Sequence, residues 1–372
     1  MTKKIKSGAF GKFIKLLGPS SSKEEISAVT KVLKSGWWGL GPVTEEFEKE
    51  FADFVGAKYA VALNSCTAAL HLSLKVLNKR KRGKVILPAF TFVSDAAVAI
   101  YEGLKVEFAD IDEKTYCLDP KKVKEKIDKD TVAVIPVHYG GRLADIDYAG
   151  KVSVIEDCAH AVGTRGAGTR GILAAWSFHP VKNVATGDGG MVTTDDKGLA
   201  DRIRKLGWLG IDQSTYDREK KGYSWEYQID ELGYKCHSND IMSSIGLAQL
   251  RRVKKLNKRR KEIAARYTRE LKELPVTLPP RSGSWHLYVI RVGKRVRNKL
   301  VDFLREKRIS PGVHYKPLYY YPVFGMGVSE AARKLPVTHK VWQEVLSLPI
   351  YPDLTYDQQG EVIRALKKFF SS

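Results

Sequence analysis

Short apolar runs alternate with helical stretches from residue 59 to 206 of this chain, and that alternation limits the fold more than any other feature. Runs at 59–63, 85–88, 106–108, 132–137, 152–155, 174–178 and 191–194 have strand character. Several are continuously apolar, as strands buried on both faces should be. Helical stretches at 67–77, 94–101, 120–127 and 197–206 lie among them, with Ser94 and Asp119 placed as N-caps and Pro120 at a first helical position. Such a rhythm predicts an α/β fold, a mostly parallel sheet with helices on both faces.

The rhythm stops at 207–233, where glycine, tyrosine, tryptophan and charges read as a long functional loop. A long helix follows over 239–274, with Ser238 or Asn239 as its cap. After Pro279 and Pro280 the pattern becomes a strand at 286–292, a helix at 299–307, a strand near 313–315 and two closing helices. The expected division is an arm over 1–20, a large domain over 21–255 and a small α+β domain over 256–372.

Several function classes fall away. No run of about 18 apolar residues is present, so no membrane span is expected. The basic N-terminus lacks the apolar segment of a secretory signal, which makes the cytoplasm the expected location. Cys66, Cys117, Cys158 and Cys236 are scattered with no C-x-x-C pair, as suits reduced thiols. Cys158 stands beside Asp157 and near His160, but residues this close at a strand end seldom converge on one point, so no metal is expected. The net charge of +21 permits a nucleic-acid partner, and basic runs occur at 79–84 and 251–261. In the second run Leu247, Leu250, Val253 and Leu256 keep three-residue steps, which makes its charges a solvated helix face. No nucleic-acid motif accompanies either run. Attraction of anionic substrates and a phosphate cofactor is the milder account.

Two strand ends carry the chemistry. Asp157 closes the run at 152–155, and Lys182 stands between the run at 174–178 and a glycine cluster at 187–190. In open α/β sheets ligands bind beyond the carboxyl ends of strands. A lysine amine that can form a Schiff base with an aldehyde, and a carboxylate that can keep a pyridine nitrogen protonated, are what pyridoxal phosphate (PLP) needs. Asn64-Ser-Cys-Thr-Ala-Ala-Leu70 links a strand to a helix. The N–H groups of Thr67 and Ala68, with the Ser177 hydroxyl, form a candidate phosphate cup there. In Pro88-Ala-Phe-Thr-Phe92, Phe90 or Phe92 could stack on a flat ring, or either could be an ordinary core residue.

Together these segments resemble the DegT/DnrJ/EryC1/StrS family of PLP-dependent sugar aminotransferases. The likeness runs from about residue 19 to 366 and includes Ser35-Gly-Trp-Trp-Gly-Leu-Gly-Pro42, Phe54-Val-Gly-Ala-Lys58, Val137-His-Tyr-Gly-Gly141, Ile245-Gly-Leu-Ala-Gln-Leu250, Gly312-Val-His-Tyr315 and Leu346-Ser-Leu-Pro349. It implies fold type I, a mostly parallel seven-stranded sheet sandwiched by helices with a smaller C-terminal α+β domain. It further implies that Lys182 is the Schiff-base lysine and that Asp157 pairs with the ring nitrogen. His160 takes the place of a Gln or His near the phenolic oxygen. Thr67, Ala68 and Ser177 hold the phosphate, and Phe92 stacks on the ring.

By the same resemblance the protein is a homodimer with shared active sites. The family's asparagine after Gly-Tyr, which reaches the phosphate across the interface, is replaced here by Lys235, and a lysine can serve as a point charge. The implied reaction moves an amino group from an amino acid, L-glutamate in the usual case, to a nucleotide-linked keto-deoxysugar for aminosugar or surface polysaccharide synthesis. Gly187-Asp-Gly-Gly190 resembles the members that aminate sugar C4. Two other readings share the fold. A dehydratase branch carries histidine in place of the lysine, against which Lys182 argues, and a non-catalytic ligand sensor is the second.

Overall fold

The computed structural model describes residues 13–79, 82–220, 222 and 225–371. Positions 1–12, which make up most of the expected arm and all of the basic N-terminus, and 80–81 of the first basic run lie outside these residues. Helices α1 (Lys23–Ser35) and α2 (Pro42–Val55) lead into β1 (Tyr59–Leu63), α3 (Cys66–Leu77), β2 (Lys84–Pro88), α4 (Ser94–Tyr101), β3 (Lys105–Ala109), α5 (Pro120–Lys124) and β4 (Thr131–Val134). Then come β5 (Ile155–Asp157), β6 (Leu173–Ser177), β7 (Gly190–Thr194), α6 (Lys197–Gly207), α7 (Thr215–Lys220) and the long α8 (Asp240–Leu271). The chain closes with β8 (Tyr288–Arg291), α9 (Lys294–Glu306), α10 (Val328–Lys334), α11 (Pro336–Glu344), β9 (Val345–Leu348) and α12 (Tyr356–Ser371).

Strands β1, β7, β6 and β5 form one ladder and β3, β2 and β4 another. Parallel bridges Val134–Val154 and Val137–Asp157 join them, so seven strands run across the molecule. Only β7 is antiparallel to its neighbours. Every residue of β6 and β7 is buried, which explains why these runs lack polar alternation. Helix α3 covers them with Ala69, Leu70 and Leu72, and each such Leu buried is worth roughly 1.5–3 kcal/mol.

Some expectations shift. The fifth strand begins at Ile155 and not at 152, because its partner on β6 starts opposite Ile155, at Leu173. The 120–127 helix stops at Lys124. Asp119 does cap it, accepting from Lys121 N, whereas the cap position of α4 is Val93 and Ser94 is the first helical residue. The loop at 207–233 contains the short α7. Asn239, not Ser238, caps α8 through Met242 N. Residues 313–315 form no strand; Gly312 alone bridges to Ser347. Helix α9 begins five residues before the expected 299, and three helices, not two, follow it.

Helix α8 belongs to two cores. Its Leu247, Leu250 and Val253 pack with Phe47, Phe51 and Trp176. Its Ile263, Tyr267 and Leu271 pack with Tyr288, Leu300, Leu346 and Leu366. Ile14, near the first described residues, joins the second group.

A buried polar plug fastens the loop between β5 and β6. Glu156 accepts from the backbone N–H groups of Gly168, Arg170 and Gly171 at 3.0, 2.8 and 2.6 Å. His138 Nε2 adds a fourth contact at 2.7 Å. Because His138 Nδ1 accepts from Ala144 N at 3.0 Å, its proton rests on Nε2 and is donated to Glu156. The Cys158 sulfur lies within 4.8 Å of these ligand atoms. Both His138 nitrogens and the Glu156 carboxylate are engaged, and burial keeps Cys158 a neutral thiol, so the cluster reads as a hydrogen-bonded plug.

Burial raises the Glu156 pKa, but the His138 and backbone donors outweigh it and hold the net value below the ordinary one. A depressed folded pKa gives stability that is present above the unfolded value and lost as pH falls through the folded value. Glu156→Gln is therefore expected to cost about 1–3 kcal/mol at neutral pH, with the gap to wild type closing in acid. Urea unfolding at both pH values measures this. A gap that stays constant with pH would mean the charge contributes nothing.

Candidate active site

Strand pairing gathers the site. Asp157, at the end of β5, pairs with Ala175 of β6. The chain leaves β6 at Ser177, passes through Lys182 and returns as β7, whose Gly190 pairs with both Ser177 and Leu63. Helix α3 starts just beyond Leu63. Gly190 has to be glycine, because a Cβ there would lie 2.3 Å from the Ser65 carbonyl carbon and 2.5 Å from Cys66 N. Backbone from the lysine loop thus touches the start of α3.

That start offers donors. Ser65 is the N-cap, and its Oγ accepts from Ala68 N at 3.1 Å. The Ala68 N–H expected to serve the phosphate is therefore already used by the cap. Among the described residues the N–H groups of Cys66 and Thr67 have no acceptor, as the first turn of a helix leaves them. Ser177 Oγ accepts weakly from His179 N at 3.4 Å, and its own proton has no acceptor among the described residues. The Thr67 hydroxyl meets Ser94 Oγ at 2.8 Å.

Asp157 is 5% exposed, and its Oδ1 accepts from Ala159 N at 2.8 Å. Burial pushes its pKa up, against the pull of the Ala159 N–H and the Lys182 charge. Lys182 is half-buried, its surroundings lower its pKa, and Asp157 opposes that shift. The two groups face each other in one enclosed space. Asp95 shares it with a fully buried carboxyl.

His160 lines the far wall. Gly140 N donates to its Nδ1 at 3.2 Å, which puts the ring proton on Nε2, 3.0 Å from the Tyr315 hydroxyl. Burial lowers its pKa well below the ordinary range, so the ring is neutral. His286 stacks behind it, with ring centroids 4.3 Å apart, and holds Asn183 at 3.1 Å. Phe90 is a core residue stacked on Tyr139. Phe92 is 58% exposed, with its ring 6.3 Å from Tyr315, at the open side of the site. Lys235 stands apart from the Asp157–Lys182 space, its amine 3.5 Å from the centre of the Trp208 ring.

This donor set fits PLP: an amine of lowered pKa, a buried carboxylate, and a helix start with free N–H groups beside a free hydroxyl. A model of the DegT/DnrJ/EryC1/StrS aminotransferase family matches residues 19–367. The chain belongs to that family.

The spore coat polysaccharide biosynthesis protein SpsC of Bacillus subtilis is 40% identical over 369 residues, covering 94% of this chain and 95% of its own. The structure of the sugar aminotransferase CalS13 from Micromonospora echinospora superposes with a TM-score of 0.85 at 30% identity, covering 95% of this chain and 99% of that one. The PLP form of Spr1654 from Streptococcus pneumoniae gives 0.87 at 28% identity, covering 96% and 99%, and that protein is also known in its pyridoxamine phosphate form. Membership makes this chain a PLP-dependent sugar aminotransferase of fold type I.

Sequence reasoning missed Asp95, Tyr315 and His286 as site residues. Asp95 was hidden in an ordinary first turn, though Thr91 four residues earlier is its hydrogen-bond partner. Tyr315 lay inside a matching segment without a role. His286 looked like the start of a strand.

Proposed function

We propose that this aminotransferase moves an amino group from L-glutamate to C4 of a nucleotide-linked keto-deoxysugar destined for an aminosugar of a surface polysaccharide. The observation that carries the reading is the meeting of Lys182 and Asp157 beside the free N–H groups of α3. Family membership and the polysaccharide role in the name of SpsC support the sugar. The C4 position rests on the likeness of the 187–190 segment to C4-aminating members.

When bound, PLP supplies an aldehyde and an electron-accepting ring. Lys182 would hold the aldehyde carbon. Once displaced, its Nζ would carry a proton to and from the substrate carbon, a task suited by its lowered pKa. Asp157 would accept the hydrogen bond of the ring nitrogen, and His160 would face the phenolic oxygen. The Cys66 and Thr67 N–H groups and Ser177 would bind the phosphate, with Ala68 joining if Ser65 turns aside. Phe92 would stack on the ring from the open side. Two copies would share the sites, and the exposed Trp38, Phe92, Tyr101 and Leu232 support such an interface. Lys235 of one subunit would reach the phosphate in the other by leaving the Trp208 ring.

We also place the boundary between large and small domains at 255/256, inside α8, after an arm over 1–20. The change of packing partners between Val253 and Ile263 supports it. A cytoplasmic location is supported by four free cysteines.

The test mixes the PLP-loaded protein with L-glutamate and then with a panel of nucleotide keto-sugars. Glutamate is expected to bleach the visible cofactor band, and one keto-sugar to restore it. The product should carry its amine at C4 by NMR. An amine at C3 would overturn the regiochemistry, and no bleaching by glutamate would overturn the donor.

A further inference from the structure

Asp95 stands in the first turn of α4 and is 1% exposed. Its Oδ2 accepts from the Thr91 hydroxyl. Its Oδ1 is enclosed and finds no donor among the described residues. Asp157, itself only 5% exposed, is the neighbour whose charge acts most strongly on that carboxyl. Two carboxylates cannot meet in a buried space while both are charged; one must keep a proton. Cys66 from α3, Lys182, Tyr315, Cys158 and His138 are other titratable groups within reach of the pair.

The neighbours decide which acid keeps it. Asp157 has the Ala159 N–H on Oδ1 and the Lys182 charge nearby, and both favour its ionised form. Asp95 shares the Lys182 charge and has the Thr91 hydroxyl, but no backbone N–H reaches it among the described residues. Burial and the charge of Asp157 push its pKa well above the ordinary range. If Oδ1 carries the proton, it becomes a donor aimed at Asp157 and the orphaned atom is satisfied. We propose that Asp95 is a positioning residue: as a neutral acid it donates its proton to Asp157 and keeps that carboxylate the single negative charge facing the ring nitrogen of the cofactor. A carboxylate so held is a weaker base, which leaves the shared proton on the ring. The inference rests on the reading of Asp157 as the partner of that nitrogen.

The test uses the PLP-loaded protein and the variants Asp95→Asn, Asp95→Ala and Asp157→Ala. Infrared spectra of protein with isotope-labelled aspartate should show a protonated carboxyl at neutral pH that Asp95→Asn removes. Asparagine keeps a neutral donor, so Asp95→Asn is expected to bind PLP within about threefold of wild type, and Asp95→Ala at least about tenfold more weakly. A merely structural role would not give rescue by asparagine together with loss of that band. The proposal is overturned if the band is missing, if it survives Asp95→Asn, or if the two Asp95 variants bind PLP alike. Should Asp95→Ala not fold, the band and the asparagine affinity decide between them. If Asp157→Ala binds PLP like wild type, the reading of Asp157 itself is at fault. If Asp157→Ala is impaired and Asp95→Ala is not, only the role of Asp95 falls.

Discussion

Lys182→Ala is expected to remove turnover by at least about 10^4-fold while leaving the fold in place. The amine has two tasks in the proposed reaction, covalent attachment of the cofactor and proton transfer at the substrate carbon, and one substitution removes both. Its surroundings were built at a cost to the charged form of the amine, since burial lowers its pKa. Such a shift suits the proton-transfer task proposed for the amine. Its side chain makes no hydrogen bond among the described residues, and the loop is held through Lys182 N to His179 O at 2.8 Å, a bond the substitution keeps. Circular dichroism should therefore match wild type while amination and the visible cofactor band disappear. Near-normal amination by a folded Lys182→Ala protein would end the assignment.

Asp157→Ala should cut turnover by about 10^2–10^3-fold and weaken PLP binding, because the ring accepts electrons well only while its nitrogen stays protonated. The folded-state effects run in opposite directions. Removal relieves the crowding of two buried carboxyls, yet Ala159 N loses its acceptor and Lys182 loses the counter-charge that opposes its desolvation. The Lys182 pKa should fall further in this variant, since Asp157 is the largest influence raising it. Steady-state rates and PLP titration of the apo-protein measure the two effects. Wild-type values for both would remove Asp157 from the site.

The strands were legible because burial on both faces leaves a direct mark in composition, as in residues 60–63 of β1 and 173–176 of β6. Lys182 and Asp157 were legible because the ends of such strands are predictable positions. Contacts made across the fold left no such mark. Nothing local tells that Asp95 meets Asp157 or that Tyr315 reaches His160. Cap chemistry misled twice for one reason: a hydroxyl at a helix start has several competing partners. Ser94 turned to Thr67, and Ser65 took the Ala68 N–H that looked free. The start of α9 is masked in the sequence because Lys294, Arg295 and Arg297 hide the apolar step that leads to Leu300 and Leu304.

The 32 residues of α8 extend for about 48 Å, and one half of that rod is embedded in each core. A helix resists bending far more than a loop does. The two bodies are thus mounted on a common axle, where an ordinary linker would have let them swing. A tilt of the C-terminal body would strain the side chains between Val253 and Ile263 and also the seam where Leu287, Val289, Val341 and Val345 pack with Ile86, Phe90 and Tyr139, against which Tyr315 rests. For the same reason neither body owns a complete surface of its own. Severed at residue 255, each would expose the apolar face that the missing half of the axle had covered.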